Sequence, residues 1–189
     1  NPDFFINKCL MATHSVSDPS VSIGLMLQYI GSQLGCENIF LYERMDNGEF
    51  LSTYHWAPTS TEHPLNLSLQ VEYPQHLQSL YRNEVLIFSD SDDRLPTPSQ
   101  FSSQQDFADI HTLVLSPVLS KGQIIALLRL DNPSVQHIRK ISGTIKVLSH
   151  FMGSILVLRD LMSHLEELSY HDSMTHQVLL EEFFYHFNT

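Results

Sequence analysis

The residues of this 189-residue chain best suited to chemistry are eleven histidines, two cysteines and a group of aspartates near the middle. Neutral imidazoles bind transition metals, and two histidines one helical turn apart are a common nucleus of a zinc site. No H-E-x-x-H or H-x-x-x-H pair falls on a helix-forming stretch. His55, His63, His76 and His111 stand in separate elements that only folding would bring together. His171 and His176 are five apart near the C-terminal end, while His150 and His164 suit surface or interhelical positions. Asp90, Asp92 and Asp93 open like a calcium loop. Arg94 then takes a ligand position, Leu95 the required glycine and Phe101 the bidentate glutamate, so a solvated acidic loop fits better. No metal and no cofactor is expected.

Cys9 and Cys36 form no C-x-x-C pair, and a secreted disulfide scaffold of this size would carry more cysteines. Both read as small buried hydrophobes in a reducing, cytoplasmic compartment. The seven glycines are isolated from one another, which excludes a P-loop and a G-x-G-x-x-G turn. No catalytic residue is assigned, and the chain is not expected to be an enzyme.

Charge narrows the partners. Twenty-one acidic residues against ten basic ones leave a formal charge of −11, the wrong sign for nucleic acid or anionic lipid. No uninterrupted run of about 18 apolar residues is present, so membrane insertion is not expected. The chain opens Asn1-Pro2-Asp3, without the basic and apolar stretches of a signal peptide, and reads as a segment of a longer protein.

The spacing of apolar residues lays out the elements that must position these side chains. Residues 3–15 have helical spacing. Ser17 to Ser20 can cap a second helix over 20–34, with Val21, Leu25, Ile30 and Leu34 on one side and Gly35 as its C-terminal stop. Asn38 to Arg44 and Phe50 to Trp56 read as a hairpin about an Asn47-Gly48 turn. Leu65, Leu67, Leu69 and Val71 alternate as an extended segment, Pro74 opens a short helix holding Leu77, Leu80 and Tyr81, and Glu84 to Phe88 form a strand. Residues 89–105 make a long polar loop, with a short helix to follow over Asp106 to Ile110. Residues 111–119 and 124–130 are two strands at the centre of the sheet, Pro117 being placed at a bulge or strand end. A helix from Val135 to about Leu168 carries Ile141, Ile145, Leu148, Met152 and Ile155, and after a slip Leu158, Met162, Leu165 and Leu168. A seam with such a slip suits a helix whose first half packs on its own domain and whose second half pairs with another helix.

Gly122-Gln123-Ile124-Ile125-Ala126-Leu127-Leu128-Arg129-Leu130-Asp131-Asn132-Pro133 resembles the last-strand motif of bacterial GAF domains, G-x-I-I-G-x-x-x-x-D-N-P. His111 to Val118 resembles the strand before it. The resemblance covers roughly residues 15–170. It implies an α+β fold with a central, mainly antiparallel sheet flanked by helices and a long C-terminal signalling helix. Leu165 to Thr175 resembles the linker that enters a GGDEF (diguanylate cyclase) domain, but His176-Gln177 replaces the Gly-Leu of that motif. The implied organisation is an N-terminal helix over 1–16, a GAF-like sensor over 17–160, a helical linker over 161–175 and a truncated or divergent output region over 176–189. No Gly-Gly-(Asp/Glu)-Glu-Phe loop is present, so this chain alone is not expected to make cyclic di-GMP.

GAF domains form a cavity between the sheet and its irregular middle segment. The resemblance implies that Tyr54, Trp56, Tyr73, Leu77, Tyr81, Phe88, Phe107 and Leu113 would line it, and an aromatic wall suits a small planar ligand. The same side chains could equally fill the core. Bilin and cyclic-nucleotide signatures are absent, and neither cysteine matches the mid-domain cysteines of the GAF-fold methionine sulfoxide reductases. The functional expectation is a homodimeric sensor, paired through Ile155, Leu158, Met162 and Leu165, that signals to an output domain in the same chain. A scaffold without ligand, or a redox enzyme with a reactive Cys36, are the alternatives.

Overall fold

The computed structural model describes residues 2–14, 17–59, 66–89, 110–134 and 138–187. Asp106 to Asp109, His63 and the aspartates of the acidic loop lie outside them.

The chain begins with two helices, α1 (Pro2–His14) and α2 (Pro19–Leu34). The Asp18 side chain caps α2 by accepting from the Ser20 N–H at 2.9 Å, and Pro19 sits in the first turn where no N–H is needed. Gly35 ends the helix with φ 62°, a left-handed conformation that glycine adopts without strain. The buried face of α2 differs from the expected one. Ile23, Met26, Leu27, Ile30 and Leu34 face the core, while Val21 is exposed, because the 23/26/27/30/34 set follows the helical repeat more closely.

Strands β1 (Asn38–Arg44) and β2 (Phe50–Trp56) form the expected hairpin, with Gly48 at φ 84° and Asn47 Oδ1 accepting from the Glu49 N–H. Then follow the two-residue strand β3 (Asn66–Leu67), α3 (Leu69–Glu72), a 3₁₀ turn over Pro74–His76, α4 (Leu77–Tyr81) and β4 (Leu86–Ser89). The extended reading of residues 65–71 is therefore corrected, from residue 66 onward, to a short strand and one helical turn. Leucines two apart suit a strand, but Glu72 Oε1 meets the Ser68 N–H at 3.4 Å and favours the turn.

Strands β5 (Thr112–Ser120) and β6 (Gln123–Asp131) complete an antiparallel sheet in the order β3-β2-β1-β6-β5-β4. The central pair is thus β1 and β6, with β5 one place further out. Pro117 lies inside β5, next to the irregularity between Val118 and Leu119. Among the described residues β4 accompanies β5 only up to Leu115, so Pro117 lies beyond that pairing, where a missing N–H is tolerated.

Helices α1, α2 and α5 (Ile138–Phe187) cover one face of this α+β fold. Ile141, Ile145, Leu148, Met152 and Leu156 of α5 join the core there. Gly153 brings α5 close to β5, since an added Cβ would lie 3.0 Å from Val118. Beyond Asp160 the described side chains of α5 are all exposed, and the helix runs through residues 175–176 without a break. By length and composition its stretch from Ile141 to Phe183 could cross a membrane, yet 44% of the most apolar window is already buried within the fold.

Candidate ligand site

The opposite face of the sheet lies beneath α3, the 3₁₀ turn and α4. Its apolar frame is Phe40, Phe50, Leu67, Leu69, Leu80, Phe88, Leu113, Leu115, Ile124 and Leu127. Within that frame sits a group of polar side chains. Arg129, projecting from β6 and 2% exposed, donates from Nε and Nη2 to the two carboxylate oxygens of Asp131 at 2.7 and 3.0 Å. Its Nη1 reaches the Tyr42 hydroxyl at 3.4 Å, and the guanidinium lies 5.3 Å from the Phe40 ring centre. His55 stacks on the other aromatic neighbour of this row, its ring 4.5 Å from Phe40, with Nε2 3.0 Å from Asn38 Oδ1.

A buried guanidinium is strongly desolvated, so its charge survives only through a matched partner. Burial works to lower the Arg129 pKa, but the Asp131 carboxylate prevails and holds it above the ordinary arginine value. At Asp131 burial pushes the carboxyl upward while the guanidinium opposes. Burial also raises Tyr42, to about 12, and raises Tyr73 further. Glu72 is moved up to about 7 by burial, against opposing pulls from the Ser68 N–H and Arg129. The Arg129 charge acts on Tyr42, Glu72, Tyr73 and Asp131 alike, lowering the pKa of each against burial.

Two atoms of this group are buried without a hydrogen-bond partner: Glu72 Oε2 and the Tyr73 hydroxyl. Most buried polar groups in folded proteins are paired, which makes such orphans informative.

The sheet divides the eight residues expected to share one wall. Tyr73, Leu77, Phe88 and Leu113 lie on this face; Tyr54 and Trp56 pack on the helix-covered face; Tyr81 is half exposed; and Phe107 lies outside the described residues. The placement of Tyr54 and Trp56 is a correction with a local cause. From the hairpin turn, Phe50 pairs with Arg44 and Ser52 with Tyr42, but Tyr54 pairs with Leu41, leaving Thr53 as an extra residue. That bulge inverts the alternation, so 54 and 56 point opposite to 50 and 52. Arg129, Asp131, Tyr42 and Glu72 were absent from the expected set. Their signal was charge: an arginine within the apolar run 124–130 has to be paired once that run is buried on both faces.

On the helix-covered side, Tyr54 joins a second polar network. Its hydroxyl lies 3.1 Å from Ser20 Oγ and receives a hydrogen bond from Arg159 Nη1 at 3.1 Å. Arg159 also donates to both Glu43 oxygens at 3.0 and 2.5 Å. Burial alone would raise the Glu43 carboxyl, but the hydrogen bonds from Arg159 and Thr53 outweigh it and hold the pKa low. This fork pins α5 to β1 and β2 where the helix leaves the domain. Beside it a cleft of ≈ 440 Å³ opens between the hairpin turn, the start of β6 and α5, lined among others by Arg44, Asp46, Ile125 and Asp160.

Cys9 and Cys36 are buried free thiols, and burial pushes both to about 12. A redox cysteine needs the reverse, an accessible thiolate. Among the described residues no three histidine, cysteine or acidic side chains are arranged to hold a metal ion.

No protein-family model matches the sequence, and no curated protein does. Solved structures do match the fold. The GAF domain of A. Aeolicus nlh2 in an inactive state superposes with a TM-score of 0.62 at 15% identity, over 84% of this chain and 96% of that one. The GAF domain of a phosphoenolpyruvate-protein phosphotransferase from Coxiella burnetii gives 0.67 at 11% identity, covering 87% and 97%. The phycoerythrobilin-bound GAF domain from a cyanobacterial phytochrome gives 0.64 at 13% identity, covering 87% and 98%. The fold is that of GAF domains.

Proposed function

We propose that this chain is a regulatory sensor module whose long C-terminal helix carries its signal outward. The observation that carries this reading is the construction of α5. Its first half is locked into the core through Ile145, Leu148, Met152 and Leu156, and the same unbroken helix then exposes Leu158, Leu161, Leu165 and Leu168. These four recur at steps of three, four and three, the seam of a two-stranded coiled coil. A second copy of the chain covers the seam, with Ile155 and Met162 at its edge. A change in the sheet then shifts the pairing of the two helices, a population shift that requires a ligand with different affinity for the two packings.

Phytochrome and phosphotransferase GAF domains share the fold, which supports a sensory role for the face beneath α3 and α4. The resemblance of Leu165 to Thr175 to a GGDEF entry linker supports a diguanylate-cyclase-like output in the parent protein, and two buried free thiols suit a reducing, cytoplasmic setting.

Sedimentation equilibrium tests the helix pairing. A dimer is expected at micromolar concentration, and a monomer for the double variant Leu161→Glu with Leu165→Glu. A wild-type chain that stays strictly monomeric at hundreds of micromolar would overturn it.

A further inference from the structure

Both unpartnered atoms of the buried polar group belong to consecutive residues at the end of α3, Glu72 and Tyr73. Tyr73 is 1% exposed, so its hydroxyl has no recourse to bulk water. Among the described residues the guanidinium of Arg129 is matched by Asp131 through two hydrogen bonds, and an ionised Glu72 adds a negative charge beside the pair. An acidic oxygen that accepts, beside a phenol that can donate, is complementary to a molecule presenting an N–H donor and an acceptor. Phe88, its ring 5.9 Å from that of Tyr73, and Phe40 and Tyr42 in the same apolar cluster favour a flat ligand.

We propose that Glu72 and Tyr73 form a recognition corner for a small planar ligand, neutral or cationic, that donates an N–H to Glu72, and that the corner discriminates against anions. The proposal rests on the sensor reading and specifies its ligand chemistry. The Arg129–Asp131 pair is the fixed floor of the site, held within one strand. The groups electrostatically coupled to Glu72 are Arg129 from β6, Tyr42 from β1 and the neighbouring Tyr73. His55 of β2 stands beside Asp131, and His76 of the 3₁₀ turn packs edge-on against Phe88. An N–H donor binds the ionised carboxylate, so its affinity rises as the pH climbs through about 7. An anion would need the protonated carboxyl and would show the opposite slope.

Three probes with one ring and different head groups separate the cases: benzamidine, benzamide and benzoate. Binding to the full chain would be followed by protein-observed NMR titration at pH 6, 7 and 8. Benzamidine and benzamide should perturb the Glu72, Tyr73 and Arg129 signals, with benzamidine gaining about tenfold in affinity from pH 6 to pH 8. Glu72→Gln should weaken benzamidine at least tenfold and abolish the pH slope. Tyr73→Phe should weaken benzamide severalfold while leaving the free protein as stable or more so, since it removes an unpaired buried hydroxyl. Preferential binding of benzoate, an affinity that falls with rising pH, or no perturbation at this corner by any probe would overturn the proposal. A cellular metabolite that raises Tm equally in wild type and Glu72→Gln would overturn it too, while leaving the sensor reading standing.

Discussion

On the face of the sheet covered by α1, α2 and α5, a buried polar contact joins the hydroxyls of Ser116 and Ser149 at 2.8 Å, and both partners are satisfied. On the face beneath α3 and α4, a guanidinium and a carboxylate are buried together and two further polar atoms remain unpaired. Both faces belong to the same strands, with side chains alternating between them. The first follows the rule that stabilises folds, in which apolar side chains interdigitate and polar atoms find partners. The second departs from that rule in one place. Such a local departure, set in a chain otherwise consistent with its fold, is where function is best sought.

Changing Arg129 has the largest expected effect on this contrast. Arg129→Ala leaves Asp131 buried without its partner and should lower stability by about 3–5 kcal/mol, measured by urea unfolding. The double change Arg129→Met with Asp131→Leu should lose much less. If the two variants were equally destabilised, the pair would be contributing packing rather than charge compensation.

The helix-covered face is more sensitive to shape. An alanine Cβ at Gly31 would fall 2.1 Å from the Trp56 ring, so Gly31→Ala should cost about 1–3 kcal/mol despite the better helix propensity of alanine. A neutral result in thermal unfolding would mean that Trp56 is free to move, and that this face is less tightly packed than the other.

The smallest effect concerns pH. Glu72 has a folded pKa of about 7 against an ordinary 4.5, so in the free protein its carboxyl binds a proton more tightly when folded. That contribution is complete below the unfolded value and is lost as the pH rises through the folded one. The stability of Glu72→Gln relative to wild type should therefore increase from pH 5 to pH 8. A constant difference would place Glu72 in contact with water, and the two faces would then be more alike than described.

The sequence already disclosed what periodicity encodes. The Asn47-Gly48 turn marked the hairpin, and the apolar runs of β5 and β6 marked strands buried on both faces. The helix was visible in the spacing from Ile141 to Ile155. What stayed hidden depended on events that periodicity does not carry. A single extra residue at Thr53 turned Tyr54 and Trp56 to the other face. Leu67, Leu69 and Val71 fit a strand and a helical turn equally well until Ser68 and Glu72 meet across the turn. Arg129 is one letter in a hydrophobic run, and its partner two residues on became meaningful only once the strand was buried. The Asp-Asn-Pro ending proved informative for a physical reason. Asn132, at φ 48°, accepts from the His111 and Thr112 N–H groups at 2.7 and 3.0 Å and donates to Glu37 at 2.8 Å, tying the ends of three strands together.

The fork of Arg159 on Glu43 and Tyr54 ties α5 to the sheet some 28 residues before the helix ends at Phe187. At 1.5 Å per residue the portion beyond it is about 40 Å long, so a tilt of roughly 5° at the fork would displace its tip by about 4 Å. In mechanical terms the fork is a fulcrum and the helix beyond it a lever arm. A movement too small to disturb the packing of the sheet becomes, at the far end, about the width of an atom.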